Sequence, residues 1–490
     1  MENRMVEKAL YFDDVMLVPR ESRIVPRNAV VRTRIAKKIE LGIPLLSAAM
    51  DSVTESAMAI ALAQEGGLGV IHRNLTVEEQ AREVERVKKA EAYIITEPVT
   101  VSPRDAVSKA IELAREQGVA GFPVVDGGKL VGVLTKRDWR LCRDANAPVA
   151  KLMTKRVVTA PASVSVDEAK RLMHEHRIEK LPLVDHEGRL VGLITFRDIE
   201  KMQRHAEACK DEEGRLRVAA AVGVRDLARV RALEKAGVDV IVIDSAHGHS
   251  RNVLDSIREI KKEFGAALPV VAGNVVTREA TAALISAGAD CVKIGIGPGS
   301  ICTTSIVTGV GFPQFSAVLQ CAAEADKYKT PVIADGGIRY SGDLAKALAA
   351  GAAAAMIGSL FAGTDEAPTR EVFVAGRKYK AYRGMGSVGA MLKVKGARGA
   401  RARYHQEDVF EREKLVPEGV EAMVPYRGSV REVVYQLVGG LKSSMGYCGC
   451  SNLEEFRKRT RFVEISGAGL AAAHPHDVLV TDEAPNYPLK

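Results

Sequence analysis

A single cysteine at the end of a glycine-rich run is the residue in this chain best placed to do chemistry. Residues 295–304 read GIGPGSICTT, with glycines at 295, 297 and 299, then Ser300, Cys302 and Thr304. Glycines let a backbone turn sharply and come close to a ligand. Main-chain N–H or C=O groups in such a turn can face a phosphate or a cation. A thiolate at Cys302 could attack a bound electrophile. The same run also fits a plain glycine turn with a structural cysteine, so the elements around it must decide.

Those elements alternate. Apolar runs at 43–50, 68–72, 217–224, 238–244, 268–274, 291–295, 331–335 and 354–358 read as eight buried strands. Stretches with helical spacing follow them at 54–65, 77–92, 225–237, 250–264, 278–288, 315–328 and 341–351, and Thr54 reads as an N-cap. Eight β-α units predict an α/β fold, a TIM (β/α)8 barrel with an insertion after its second strand. An open doubly wound sheet is the alternative, but no GxGxxG follows a first strand. In a barrel, active-site residues lie just past the C-terminal strand ends. Those positions hold Ser47, Met50 and Asp51; His72; Asp244, Ser245 and His247; Asn274; the 295–304 loop; Asp335, Gly336 and Gly337; and Gly358 with Ser359. The last two groups follow strands seven and eight, where backbone N–H groups can cradle a phosphate.

The insertion carries an internal repeat. FPVVDGGKLVGVLTKRD at 122–138 returns as LPLVDHEGRLVGLITFRD at 181–198. Each copy is preceded by an extended proline-bearing segment and a helix, and each ends in Thr-x-Arg-Asp. Two half-size copies point to units that pack as a pair. They resemble CBS repeats, which often bind adenine or guanine nucleotides in the cleft between them. That likeness implies that Asp138 and Asp198 hold ribose hydroxyls, and a structural spacer is the other reading.

Composition bounds the rest. The chain has 490 residues and is 47% hydrophobic, so a large core is available. No apolar run reaches the roughly 18 residues of a membrane span, and the N-terminus has no apolar signal core. Seven cysteines form no disulfide-scaffold spacing, so the expected compartment is the cytoplasm with reduced thiols. CGC at 448–450 has no flanking cysteine or histidine pair to complete a metal site. Net charge is +8, part of it in KVKGARGARAR at 393–403. No aromatic residues interleave with that run. It therefore reads as a mobile loop meeting a small anionic ligand, not as a nucleic-acid face.

The whole arrangement resembles the inosine 5′-monophosphate (IMP) dehydrogenase family. The likeness rests on YFDDVMLVP near the start, SAAMDSVTE, the repeat pair, DSAHGHS, VAGNV, GIGPGSICTT, ADGGI, MIGSL, YRGMGSVGAM and GGLKSSMGY, all in order. It implies a catalytic barrel from 1–92 and 202–490, a nucleotide-binding regulatory CBS pair at 93–201, and a mobile flap at about 387–425. It implies oxidation of IMP to xanthosine 5′-monophosphate with NAD, a step of guanine nucleotide biosynthesis. A covalent Cys302 thioimidate would form on the way. By the same resemblance Thr304 lies near the reacting base and the attacking water. Ser300, Asp335, Gly337, Gly358, Ser359 and Tyr382 hold the nucleotide, with Asn274 and Lys293 beside it. Gly384, Met385, Gly386 and Glu418 meet the hypoxanthine. Asp244 and Ser245, with Gly295 and Gly297, face the nicotinamide ribose. Arg403 and Tyr404 act in hydrolysis from the flap.

The family also uses potassium, held by backbone carbonyls that match Gly297, Gly299 and Cys302 and by a neighbouring subunit's tail. Its bacterial members commonly carry Glu-Ser-His in that tail, where this chain reads Ala472-Ala473-His474. A homotetramer or octamer is implied. Two rivals stand beside this reading. GMP reductase shares the barrel, the Cys loop and the threonine, but most such enzymes lack the repeat pair and the Arg-Tyr flap. A non-catalytic nucleotide sensor is the other, opposed by the intact Cys302, Thr304, Arg403 and Tyr404.

Overall fold

Short strands of Val, Ile, Ala and Leu, buried on both faces, are the framework of the molecule. In the computed structural model eight of them run parallel and close into a barrel. They are β1 (Leu45–Ser47), β2 (Leu68–Ile71), β3 (Ala219–Val222), β4 (Val240–Asp244), β5 (Val270–Val275), β6 (Cys291–Ile294), β7 (Val332–Asp335) and β8 (Ala354–Ile357). The ring closes where β8 pairs with β1, Met356 against Leu46. The structure describes residues 8–487 apart from 91–93, 141, 143, 198, 201–204, 206, 394–399, 405, 407 and 410.

Alternation along each strand sorts the core into two layers. Val240 and Val242 join Leu46, Val70, Ile333 and Met356 in an inner cluster. Ile241 and Ile243 join residues of the surrounding helices, Ile257, Leu284 and Leu348 among them. A hairpin of Thr33–Ala36 and Ile39–Leu41 adds Ile35 and Leu41 to the inner cluster.

The expected strands are all present, most trimmed by one to three residues at an end, while β5 runs one residue further, to Val275. Thr54 is not the N-cap. The helix is Ser56–Gln64, and Glu55 precedes it with no side-chain cap. The Thr54 hydroxyl is fully buried, 2.7 Å from the Ala48 carbonyl and 2.8 Å from Ser47 Oγ, so it ties the loop back to β1. The next helix is Val77–Ala90.

The chain divides into two compact units: 1–90, 207–211 and 216–490 form one, and 91–206 with 212–215 the other. The second follows β2 and precedes β3 in sequence. Each of its halves has a helix and an antiparallel hairpin: Val107–Gln117 with Gly121–Asp126 and Lys129–Thr135, then Val166–Glu175 with Lys180–Val184 and Leu190–Thr195. Both hairpins shift register at the same place in the repeat, Val124/Val125 and Leu183/Val184.

Several elements lie beyond the barrel ring. A three-stranded sheet is made of Glu371–Val374, Arg377–Arg383 and Glu421–Pro425. The long helix Val430–Tyr447 starts with a Ser429 cap. Among the described residues no helix is long and apolar enough to cross a membrane.

Candidate active site

The C-terminal ends of the barrel strands converge on one cavity. Its lining includes Asp244 from β4, Asn274 from β5, Lys293 from β6 and Asp335 from β7. The Cys loop, Gly336 and Gly337, Gly358 and Ser359, Tyr382, Gly384, Met385, Arg403, Tyr404 and Glu418 complete most of it.

The Cys loop leaves β6 with Gly295 and Gly297 at φ +141° and +88°, values that a side chain would strain. At Gly295 a Cβ would also strike the Asp335 carbonyl. Cys302 is half-buried, and its thiol lies 3.3 Å from the Thr304 hydroxyl. Thr304 opens the short helix Thr304–Thr308. The loop is knitted to a second segment: Thr303 N–H donates to the Glu418 carbonyl and Val420 N–H to that of Ile301. Glu418 N–H in turn donates to the Gly386 carbonyl, so 384–386 and 418–420 are held over the cysteine.

Beneath the loop three strand ends share one polar cluster. Lys293 Nζ donates to Asp335 Oδ2 at 2.6 Å and also to Asn274 Oδ1. Asn274 Nδ2 reaches Asp335 Oδ2 at 2.9 Å and the Gly295 carbonyl at 2.7 Å. Burial would raise the Asp335 pKa, but Lys293, Asn274 and Arg403 hold it below its ordinary value. An anionic Asp335 is thereby fixed as an acceptor beside Gly336 and Gly337.

Arg403 enters the same cavity and donates to Asp244 Oδ2 at 2.6 Å. Burial opposes its charge, yet Asp244, with help from Tyr404, Asp335 and Cys302, keeps its pKa above the ordinary value. Its Nε is buried without an acceptor. The Tyr404 phenol is pushed up to about 12 by burial, partly offset by Arg403. Tyr404 also packs against Gly386, where a Cβ would come within 2.8 Å of its ring. Tyr382 is buried, which raises its pKa, and bonds to Ser300.

Most of the residues singled out from the sequence thus line one cavity. Thr304, Ser245 and Gly386 are not part of the lining. Thr304 touches Cys302, Ser245 Oγ bonds with the backbone of His247, and Gly386 backs onto Tyr404. Of the other strand-end residues, Met50 lines the cavity, and Ser47, Asp51 and His72 do not. Asp51 pairs with Arg383 and accepts from Asn74, while His72 Nε2 lies 3.3 Å from Glu55. Asp138 belongs to the other unit, where its Oδ2 accepts from the N–H and hydroxyl of Thr135. Asp198 lies outside the described residues. Sequence reasoning missed Gln314, which is fully buried and donates to the carbonyls of Ile294 and Asp335, locking the Cys loop to β7. Its position one residue after a proline at a helix start was its only signal.

A family model described as "IMP dehydrogenase / GMP reductase domain" matches residues 9–476. An inosine-5′-monophosphate dehydrogenase of Aquifex aeolicus is 53% identical over 99% of this chain and 98% of its own length. Its counterpart in Methanocaldococcus jannaschii is 52% identical over 99% of this chain and 98% of its own. Among solved structures, a cysteine-to-alanine variant of Trypanosoma brucei GMP reductase, in complex with guanosine 5′-monophosphate, superposes with a TM-score of 0.87. It is 40% identical and covers 97% of this chain and 99% of its own. A GMP reductase can therefore match the full length, insertion included, so the insertion does not separate the two activities. Matched nearly end to end by family model and relatives alike, the chain belongs to the IMP dehydrogenase / GMP reductase family.

Proposed function

We propose that this protein is an NAD-dependent oxidoreductase that converts IMP to xanthosine 5′-monophosphate in guanine nucleotide biosynthesis. The observation that carries the reading is that Cys302 shares one cavity with two charged groups of residues. One is the Lys293–Asn274–Asp335 cluster with the glycine turns, and the other is the Arg403–Asp244 pair. The full-length relatives named as IMP dehydrogenases support the same substrate.

In this reading the glycine turns at 336–337 and 358–359, with Ser300 and Tyr382, hold the phosphate, and Asp335 accepts from the ribose hydroxyls. Met385 and Glu418 border the purine. Cys302 adds as thiolate to C2 of the purine and makes that carbon tetrahedral. Bound NAD supplies the acceptor for the hydride that leaves C2. Water then attacks the resulting Cys302 thioimidate and the thiolate departs. The proton from water passes to a base drawn from Arg403, Tyr404 and Thr304.

The residues present fit both implied groups. The Asp244 carboxylate is an acceptor for the ribose hydroxyls of NAD, at the price of releasing Arg403. For potassium, the carbonyls of Gly297, Gly299 and Cys302 offer oxygen donors on a tight turn. The segment 472–474 ends the helix Gly467–Ala473, where carbonyl oxygens collect partial negative charge. Backbone oxygens can therefore serve without the family's carboxylate. An oligomer, a homotetramer or octamer, would bring that tail to a neighbour's loop. The proposed compartment is the cytoplasm, a reading supported by seven free thiols. We assign the unit at 91–206 to a CBS pair that binds purine nucleotides.

The second reading is GMP reductase, favoured by the GMP-bound structural relative. An assay separates them. The purified protein is expected to form NADH from IMP and NAD, and to leave NADPH unconsumed with GMP. The opposite pattern overturns the assignment.

A further inference from the structure

Arg73 is a buried cation that the chemistry above does not use. It follows β2 by two residues and is 4% exposed. Its flanks are fixed, because Asn74 donates from its N–H to His72 and from its side chain to Asp51 and the Ala390 carbonyl. The guanidinium extends over the end of β3: a Cβ on Gly223 would come within 2.7 Å of Nη1. In the β3–β4 register Val222 faces Ile243, so Gly223 comes level with Asp244. Arg73 thus reaches from β2, across the end of β3, toward the carboxylate that ends β4.

Among the described residues no carboxylate pairs with Arg73 directly. Asp226 is taken by Arg229 and Asp244 by Arg403. Burial therefore pushes its pKa down, with Asp244 opposing and the guanidinium groups of Arg403 and Arg229 adding to the fall. A buried charge without a partner is costly. Asp244 consequently faces two guanidinium groups. One stands on the barrel and the other on the segment that ribose hydroxyls must displace.

We propose that Arg73 is a positioning residue for the cofactor site, the fixed counter-charge that holds the Asp244 carboxylate in place when Arg403 gives way to NAD. The proposal rests on the reading that Asp244 takes the nicotinamide ribose. Without Arg73, Asp244 would keep Arg403 as its paired cation among the described residues. It would hold that partner more tightly, and NAD would compete less well.

The test uses the full chain, with NAD as the probe and two readouts. Steady-state rates give KM for each substrate and kcat. Calorimetric titration of NAD into the IMP-saturated Cys302→Ala background gives affinity without turnover. Arg73→Met is expected to weaken NAD about tenfold in both, roughly the weight of one lost charge contact. KM for IMP should stay within about twofold and kcat should not fall. Arg73→Lys should restore most of the affinity. Gly223→Ala, which displaces the guanidinium and keeps its charge, should weaken NAD in the same direction, and it decides the matter if Arg73→Met does not fold.

In a double-mutant cycle Arg73→Met should add nothing to Asp244→Asn, because the first acts through the second. Additive losses would mean that Arg73 touches NAD itself, and the proposal fails. Equal loss of IMP and NAD affinity would mark a structural role and also overturn it. If Asp244→Asn weakens NAD while Arg73→Met and Gly223→Ala do not, this inference alone falls. If Asp244→Asn leaves NAD affinity unchanged, the ribose reading falls with it.

Discussion

Arg403 must satisfy two opposed demands. A general base must be free to take up a proton, and an arginine paired with a buried carboxylate keeps its own. The Arg403–Asp244 pair holds the guanidinium charged. Ribose hydroxyls on Asp244 would remove the strongest group favouring that charge, and the nearby Tyr404 and Thr304 offer a relay. Arg403→Ala is therefore expected to leave hydride transfer nearly intact and slow thioimidate hydrolysis by ~10²–10⁴, the usual weight of a general base. Rapid-quench kinetics should show a burst of NADH, then a slow steady rate with adduct on Cys302. Equal slowing of both steps would make Arg403 a binding residue only.

At the scale of elements, the barrel strands do most of the positioning, and much of this was legible. Eight apolar runs separated by helical spacing gave the ring, and the glycine run after the sixth marked the loop. What spacing could not supply was the pairing across strands. Parallel register puts Gly273 beside Lys293, and that is why Asn274, Lys293 and Asp335 form one cluster. Thr54 failed as a cap because the helix begins at Ser56, with Glu55 before it, and the Thr54 hydroxyl turns back to donate to the Ala48 carbonyl. Arg383 to Asp51 was equally invisible, since it joins segments far apart in sequence.

That pair ties the three-stranded sheet to the loop after β1, and the burial of Asp51 is outweighed by Arg383, with Asn74 and Lys393, which hold its carboxyl below the ordinary range. A depressed carboxylate lends stability above its unfolded value and loses it as pH falls through the folded one. Asp51→Asn should cost about 1–3 kcal/mol at neutral pH. In a calorimetric pH series the difference in Tm from wild type should shrink as the pH falls below the ordinary aspartate range. A difference that persists unchanged in acid would mean that the charge of Asp51 contributes nothing.

At the scale of the whole molecule, the repeat unit departs after β2 and returns before β3, apart in sequence from the loops that line the cavity. An insertion that folds compactly can be exchanged for a short linker. Replacing 93–201 by a Gly/Ser linker should leave IMP oxidation within a factor of a few of the intact enzyme. The intact protein should bind purine nucleotides through Asp138 and Asp198 and change its assembly or its inhibition in response. A nucleotide can do so only through unequal affinity for two states. Light scattering and activity with ATP, GTP and GDP, on the intact and shortened chains, check this. If calorimetry finds no nucleotide binding to the intact chain, the unit is a spacer.

Oxidation of IMP by this route requires a covalent bond between Cys302 and the purine. Its most direct test is the mass of the intact protein quenched by acid during turnover of IMP with NAD. A single added nucleotide is expected on the wild-type chain, mapped to the peptide bearing Cys302. Cys302→Ala should show no adduct and no NADH burst while still binding IMP. A wild-type chain that forms NADH with no adduct, or a Cys302→Ala chain that keeps its burst, would contradict it.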